Sequence, residues 1–196
     1  MTPTPPLLVL GSTSPARREA LHRLGLRFRI LDPGVDEDEV GGESPRHRAI
    51  RLARLKALAV RLRAPGAIVI ASDQTAVCGK SILHKPRTLT EARASLRMTS
   101  GRRVDFYTAL AVFAPGAKAP VLSCEETRVH LRRLREDEIS RYVQSDRPLG
   151  CAGGFRAEGR GPSLWRTFEC TDPTAIVGLP LIQLTRVLRR AGLPIP

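Results

Sequence analysis

The stretch LLVLGSTSPARREALHRLG, residues 7–25, constrains the fold most, because an apolar run ends in a short polar turn and a helical pattern follows at once. The run LLVL predicts a short buried strand. Ser14 is a good N-cap, and Pro15 suits the first helical turn because the N–H group that it lacks has no helical partner there. Gly25 predicts the end of the helix. A strand joined to a helix by a tight turn is typical of an α/β protein.

The rest of the chain continues to alternate strands with helices. AIVIAS, residues 67–72, is the clearest buried strand, because an unbroken apolar run suits a strand covered on both faces, and we expect Asp73 at its C-terminal end. Further predicted elements are strands over 27–31, 102–113, 121–134 and 163–170, and helices over 45–63 (capped by Ser44), 90–99 (capped by Thr90), 134–144 and 180–191. The pattern predicts an α/β fold with a central mixed, twisted sheet flanked by helices.

Length and charge limit the domain count and the partners. The chain has 196 residues, of which 42% are hydrophobic, and this is enough for one substantial core, so we expect one domain over residues 1–196. Whether this domain has two lobes around an active-site cleft stays open at this point. The chain carries 32 Lys and Arg against 19 Asp and Glu, a formal charge of +13, which favours anionic partners such as nucleotides. The arginines are spread along the whole chain, so we discount nucleic acid as a partner.

Cysteine spacing and missing motifs exclude several classes of protein. The four cysteines show no C-x-x-C spacing, which argues against a zinc site and a disulfide framework, and a reducing cytoplasm is the expected location. No stretch approaches the roughly 20 apolar residues of a membrane span, so we expect no membrane partner. The chain contains no P-loop, G-x-G-x-x-G or G-x-S-x-G motif, which weakens kinase, dinucleotide-binding and serine-hydrolase interpretations.

The turn before the first helix has the chemistry of a phosphate site. Unpaired N–H groups and the positive end of the helix dipole favour anions at a helix N-terminus, and Ser12 adds a hydroxyl donor. Arg17 and Arg18 would bring permanent positive charge to the same place, and their guanidinium groups suit phosphate oxygens. The alternative is a capped surface helix with two solvated arginines, and this stretch alone leaves both open.

Carboxylates supply candidate metal ligands. Asp36, Glu37, Asp38 and Glu39 form an acidic loop, which by itself is typical of a solvated segment. One of these carboxylates beside Asp73 could hold Mg²⁺ or Mn²⁺ against substrate phosphates, because hard cations prefer oxygen ligands. The alternative role for Asp73 is a turn or cap residue.

Two lysines and a glutamate complete the candidate set. Lys56 lies in a predicted helix whose apolar face should be buried, so it either snorkels to solvent or points into a site. Lys85 precedes Pro86, which holds it in an extended conformation suited to a loop over a site or to a surface turn. Glu158 follows the flexible CAGG segment, where backbone can approach a ligand closely, and is otherwise an exposed loop residue.

The ordered motifs resemble one family, the Maf-like nucleoside triphosphate pyrophosphatases. The resemblance covers nearly the whole chain and rests on STSPARR, VDE, ESPRHRAIRLARLK, IASDQ, HKP, SGRRVDFYTALAVF, REDEISRYV, PLGCAGGFRAEG and TAIVGLPL, in that order. It implies a cytoplasmic α/β enzyme, often a homodimer, that cleaves a nucleoside triphosphate to a monophosphate and pyrophosphate with a divalent cation, Mg²⁺ or Mn²⁺. The implied fold is that of Maf and inosine triphosphatase proteins.

The resemblance also implies roles for individual residues. The residues that match its phosphate-binding motifs are Ser12, Arg17, Arg18, Lys56 and Lys85. Glu37 resembles a carboxylate that holds the metal or positions water, and Asp73 matches the proposed general base and second metal ligand. Cleavage between the α and β phosphates is likewise what the resemblance implies.

Three positions are relevant to recognition of the nucleotide base. Gln74 and Glu158 resemble the 7-methyl-GTP branch, whereas members that act on dTTP and UTP usually have Thr and Gln there. Guanine presents two adjacent donors, and one carboxylate can accept from both, so Glu158 favours a guanine-type base. That branch often has Trp where this chain has Ala16, and an aromatic ring there could contribute roughly 0.5 to 2 kcal/mol of cation–π attraction to a methylated guanine.

Three alternatives stay open at this point. The enzyme could prefer dTTP, UTP or another modified nucleotide, which an activity panel would reveal. A basic nucleic-acid-binding or division-regulating protein without turnover would show salt-sensitive binding that Asp73→Asn leaves unchanged. An inactive descendant would bind nucleotides without turnover, although the presence of the full candidate set argues against it.

Overall fold

The computed structural model describes residues 6–38 and 40–195, so Glu39 of the acidic loop lies outside the described residues. The helices are α1 (Pro15–His22), α2 (Pro45–Arg63), α3 (Leu89–Thr99), α4 (Glu136–Asp146) and α5 (Leu181–Arg190). The strands are β1 (Leu8–Leu10), β2 (Arg29–Ile30), β3 (Ile68–Cys78), β4 (Ser81–Leu83), β5 (Arg103–Phe113), β6 (Val121–Leu131) and β7 (Trp165–Glu169). Short 3₁₀ turns cover Ala152–Gly154, Gly161–Leu164 and Ala175–Val177.

The strands form one mixed sheet in the order β2–β1–β3–β5–β6–β7, with β4 paired to β3. β1 runs parallel to both β2 and β3, with Leu8 opposite Ile68 and Leu10 opposite Ile70. β4 is antiparallel to β3, and β7 is antiparallel to β6. The predicted α/β class with a central mixed sheet is therefore confirmed.

The described residues divide into two compact units. The first unit comprises the described parts of Met1–Gln74, Thr108–Glu125 and Asp172–Pro196, and the second comprises Thr75–Tyr107 and Glu126–Thr171. In the first unit, apolar side chains of β1, β3 and β5 pack with α1 and α5 into one core. In α5 the buried residues Leu181, Leu184 and Leu188 repeat at helical spacing, so this helix buries one stripe.

Local signals placed several helix ends correctly. Ser14 and Ser44 are the N-caps of α1 and α2, and each accepts a hydrogen bond from the backbone N–H three residues later. Thr90 as the cap of the third helix is wrong: Thr88 is the cap, and its hydroxyl accepts from the Glu91 N–H group. Both threonines fit the local pattern, and only the observed bond distinguishes them.

The largest correction concerns Asp73. The sequence predicts this residue at the C-terminal end of a strand, but β3 continues through it to Cys78. The strand continues because its last three residues pair with β4, a strand that the sequence pattern did not predict. Asp73 therefore lies in the middle of β3, between the residues that pair with β1 and those that pair with β4.

No helix among the described residues combines the length and the apolar character that crossing a membrane requires.

Candidate active site

In the first unit, one lysine joins two carboxylates that are far apart in sequence. The Lys56 Nζ atom lies 2.6 Å from Asp73 Oδ1 and 2.6 Å from Glu37 Oε1. Lys56 and Asp73 are buried, with 6% and 5% of their surface exposed, whereas the Glu37 side chain is half exposed. Buried charges are stable only when they are paired, and this arrangement pairs them on one ammonium group.

The position of Lys56 follows from the packing of α2. Its neighbours on the buried face include Leu52, Ala53 and Val60, and Lys56 extends from the same side of the helix. From this buried face the side chain of Lys56 reaches Asp73 on β3. Snorkelling to solvent, the alternative left open by the sequence, is not what the structure shows.

Arg17, in the first turn of α1, is buried and forms two hydrogen bonds. Its Nε atom donates to the Gly178 carbonyl at 2.9 Å, and its Nη1 atom donates to the Ser12 hydroxyl at 3.3 Å. Burial lowers the pKa of Arg17, while Asp73 and Glu37 raise it. Because the pKa of arginine starts so high, the guanidinium stays charged next to the two carboxylates.

The two arginines of STSPARR differ in environment. Arg17 is buried, whereas Arg18 is exposed on the next position of α1. Successive helical residues point about 100° apart, so only one of the two can face the interior. Ala16, in the same first turn, is half-buried. The structure thus brings together Ser12 and Arg17 and leaves Arg18 at the surface.

The acidic loop is attached to α2 by two arginines that the sequence patterns did not single out. Arg48 Nη2 donates to the Glu37 carbonyl at 2.8 Å, and Arg51 Nη2 donates to the Asp38 carbonyl at 3.1 Å. Arg51 also forms a salt bridge with Glu43, and the hydrogen bond from Arg51 lowers the pKa of the Glu43 carboxyl. Their spacing of three residues, on one side of the helix that carries Lys56, is the signal that could have found them.

A polar triplet interrupts the apolar strand β3. Ser72 and Gln74 point to the face opposite Asp73, because side chains alternate along a strand. The Ser72 hydroxyl lies 2.7 Å from the carbonyls of Ala109 and Gly178. Gln74 Nε2 lies within 3.1 Å of three acceptors, namely Thr108 Oγ1 and the carbonyls of Ala175 and Ile176. Sequence reasoning did not single out Ser72 or Thr108.

The second unit holds Lys85 and Glu158. Both residues are in loops, and Glu158 Oε1 lies 3.7 Å from Arg156 Nε. Both affect Cys151, whose pKa is raised to about 11: burial is the largest cause, Glu158 also raises the pKa, and Lys85 lowers it. Lys85 also borders a pocket of about 280 Å³ whose other lining residues are Ile82, Leu83, His84, Pro86, Glu91, Ala94, Ser95 and Met98.

The donor set of the first unit fits a hard divalent cation. Glu37 and Asp73 both contact the Lys56 ammonium, so their carboxylates lie close together beside that nitrogen atom. Within residues 6–38 and 40–195, no group of three or more His, Cys, Asp and Glu side chains is arranged to hold a metal by itself. Two carboxylates are the usual protein share for Mg²⁺, which takes its other ligands from water and phosphate oxygens.

Fold and site together define an α/β protein with a buried set of carboxylate, ammonium and guanidinium groups suited to phosphates. The family model described as Maf-like protein matches residues 7–191, and the chain belongs to this family. The family resemblance inferred from the motifs is thereby confirmed.

Individual relatives extend this comparison. The 7-methyl-GTP pyrophosphatase of Nitrosococcus oceani is 45% identical over 194 residues, which cover 99% of this chain and 98% of that protein. The 7-methyl-GTP pyrophosphatase of Pseudomonas aeruginosa is 46% identical over 97% of this chain and 100% of its own length. Among solved structures, a HAM1 protein from Coxiella burnetii matches 94% of this chain and 99% of its own, with a TM-score of 0.50 and 19% identity, which bears on the fold alone.

Proposed function

We propose that this protein hydrolyses 7-methyl-GTP to 7-methyl-GMP and pyrophosphate, which removes a modified nucleotide. The observation that carries the proposal is the bridge of Lys56 between Asp73 and Glu37, next to the buried guanidinium of Arg17. Relatives of 45–47% identity over nearly the full length, which bear the name of this activity, support the choice of substrate.

The residues of the first unit account for the chemical step. Asp73 orients a water molecule and accepts one of its protons as the water oxygen bonds to a phosphorus of the α–β bridge. The bond from that phosphorus to the bridging oxygen breaks, and the bridging oxygen leaves with the other phosphoryl group. Arg17 and Lys56 stabilise the negative charge that develops on the phosphate oxygens, in a site where burial strengthens their effect.

A divalent cation belongs to this proposal. Glu37 and Asp73 would hold Mg²⁺ or Mn²⁺, and the cation would supply charge neutralisation on the phosphate oxygens. Lys56 already contacts both carboxylates, so this ammonium keeps the two acidic groups together before any cation binds.

Recognition of the base is assigned to Glu158 and Gln74. The carboxylate of Glu158, in its loop, can accept from the N1–H and 2-amino groups of a guanine. Gln74 approaches backbone carbonyls with its amide nitrogen, which leaves its amide oxygen as the group available to a ligand. Ala16 offers no ring to a methylated base, so preference for the 7-methyl group has to come from elsewhere in the site.

One domain over residues 1–196 stays part of the proposal, and the match of the family model over residues 7–191 supports it. Lys85 is proposed as a further phosphate contact, as its HKP motif implies. Arg18 belongs to the same proposed set, with a surface position on α1. A homodimer and a cytoplasmic location stay predictions of the resemblance.

The test is pyrophosphate release from 7-methyl-GTP, GTP, dTTP and UTP with Mg²⁺ or Mn²⁺. We expect 7-methyl-GTP to lead, and Asp73→Asn to lower kcat by about 10²- to 10⁴-fold, because the amide cannot accept the proton. Asp137→Asn, at an exposed aspartate of α4, is the matched control and should keep full activity. Turnover led by another base would reject the substrate, and no turnover on any of them would reject the enzyme.

A further inference from the structure

One short turn receives hydrogen bonds from side chains on three different segments. The turn, residues 174–178, offers the carbonyls of Ala175, Ile176 and Gly178 to donors on α1, β3 and β5. Two of its partners, Ser72 and Gln74, are the neighbours of Asp73 in sequence. The turn therefore contacts both sides of the proposed site: the helix that carries Arg17 and the strand that carries Asp73.

The turn itself is anchored at the start of α5. The buried Asp172 carboxylate accepts hydrogen bonds from the N–H groups of Thr174 and Ile182, at 3.0 and 2.8 Å. The Thr174 hydroxyl accepts from the Leu181 N–H group at 2.7 Å. These bonds satisfy the first unpaired donors of α5 and fix the turn to a helix whose apolar stripe is in the core.

Gly178 is a direct hydrogen-bond partner of Arg17. Its carbonyl accepts from Arg17 Nε at 2.9 Å, and Ser12 accepts from Nη1 at 3.3 Å. A guanidinium has five N–H groups, so three remain for a ligand, two of them on Nη2. A bidentate contact to phosphate depends on the orientation of the planar guanidinium group. The Gly178 carbonyl contacts this group at Nε, on the edge that carries Nε.

A side chain at position 178 would be strained and would crowd Arg17. The φ angle of Gly178 is +94°, a conformation that other residues rarely adopt. A Cβ atom there would lie 3.0 Å from Arg17 Nε and 3.5 Å from Arg17 Nη2. Any side chain would therefore push directly on the guanidinium rather than on neighbouring backbone.

We propose that Gly178 and Ser72 are positioning residues for Arg17, and that they aim its free N–H groups at the phosphates of the substrate. Gly178 accepts from the guanidinium, and Ser72 contacts the same carbonyl at 2.7 Å from the strand that carries Asp73. The assignment rests on the proposed function, because it takes Arg17 as a phosphate contact.

The test compares two glycines with similar backbone strain. Gly192 has a φ angle of +86°, and a Cβ atom there would meet nothing within 4 Å among the described residues, so Gly192→Ala carries the strain without touching an arginine. We expect Gly178→Ala to weaken the binding of inorganic triphosphate, measured by calorimetry, between about 10- and 100-fold, because small displacements of a positioning group are costly. Gly192→Ala should change the dissociation constant by less than about twofold.

A double-mutant cycle separates positioning from a general structural effect. In an Arg17→Ala background, Gly178→Ala should no longer weaken triphosphate binding, because the group that it displaces is gone. An equal loss in both backgrounds would overturn the proposal, and so would a Gly178→Ala protein that binds as the wild type does. Binding of triphosphate requires no turnover, so the cycle is informative even if 7-methyl-GTP proves not to be hydrolysed.

Ser72→Ala gives a second variant in case Gly178→Ala does not fold. This substitution removes the hydroxyl group that contacts the Gly178 carbonyl. Ser163→Ala is the matched control, because the Ser163 hydroxyl also donates to a backbone carbonyl. With the active enzyme, we expect Ser72→Ala to raise KM for 7-methyl-GTP several-fold more than it lowers kcat. A fall in kcat with KM unchanged would overturn the role of Ser72 in positioning Arg17.

Discussion

The two units differ in how they hold their candidate residues, because only the first unit buries some of them. In the first unit, Lys56, Asp73 and Arg17 are buried, and each makes a hydrogen bond to another residue at 2.9 Å or less. In the second unit, Lys85 and Glu158 lie in loops with more access to solvent, and the ion pair of Glu158 with Arg156 spans 3.7 Å. A group that stabilises developing charge works best when it is desolvated and fixed in advance, and only the first unit offers this.

This difference predicts that substitutions in the two units have different effects on stability, activity and selectivity. Buried charges are costly unless they are paired, so the first unit should lose stability and activity together when one of them is removed. Loop residues near the surface can be replaced at little cost to folding, so substitutions of Lys85 and Glu158 should change binding or selectivity alone. Four experiments can sharpen or break this contrast.

The largest effect is expected for the two lysines. Lys56→Met leaves Asp73 buried without its ammonium partner, and we expect the free energy of unfolding to fall by about 3–5 kcal/mol together with activity. Lys85→Met should change that free energy by no more than about 0.5 kcal/mol while KM rises. Urea unfolding and steady-state kinetics of both variants measure this, and equal losses of stability would break the contrast.

The next effect concerns the anchor of the Glu158 loop. The buried Tyr142 hydroxyl accepts from the Arg156 N–H group and donates to Asp146, both at 2.9 Å. Tyr142→Phe should lower the free energy of unfolding by about 1–3 kcal/mol, because the half-buried Arg156 N–H group and the Asp146 carboxylate each lose a hydrogen bond. Tyr107→Phe is the control, since the Tyr107 hydroxyl makes no hydrogen bond to the described residues. Denaturant curves that coincide for the two variants would contradict the assignment.

Replacing Glu158 should change the selectivity for the nucleotide base and leave the stability of the protein unchanged. Glu158→Gln replaces one acceptor oxygen with a donor, so discrimination between guanine-type and pyrimidine triphosphates should weaken by about 1–3 kcal/mol. The ratio of kcat/KM for 7-methyl-GTP and dTTP measures it, and the melting temperature should stay constant. Glu169→Gln, at an exposed glutamate of β7, should leave the ratio unchanged. An unaltered ratio in Glu158→Gln would remove this residue from recognition.

The smallest effect is a pH dependence in the second unit. Burial raises the pKa of Cys151 from 9.0 to about 11, so its thiol stays protonated in the folded protein where the unfolded chain has lost the proton. The contribution to stability is complete below pH 9 and is lost as the pH rises towards about 11. Unfolding free energies of the wild type and Cys151→Ala should therefore converge over that interval. Parallel curves would show that the pKa of Cys151 is not raised in the folded protein.

Part of the site follows from sequence patterns alone. Hydroxyl caps and prolines mark α1 and α2, and both helices begin where Ser14 and Ser44 predict. The motifs also point to Asp73 and Lys56 as functional residues. The course of β3 could not be predicted, because Asp73 and Gln74 look like a strand end until the pairing with β4 is known. Local preferences cannot report a partner strand that comes later in the chain.

The sequence by itself determined the α/β class, the family and which side chains carry charge, since these depend on local pattern and on residue identity. Only the tertiary structure decided that Arg17 rather than Arg18 is buried, and that one ammonium joins Asp73 to Glu37. It also decided that the Gly178 carbonyl meets a guanidinium 161 residues away in sequence. Such contacts arise from the packing of distant segments, and no local pattern encodes the direction in which a buried side chain points.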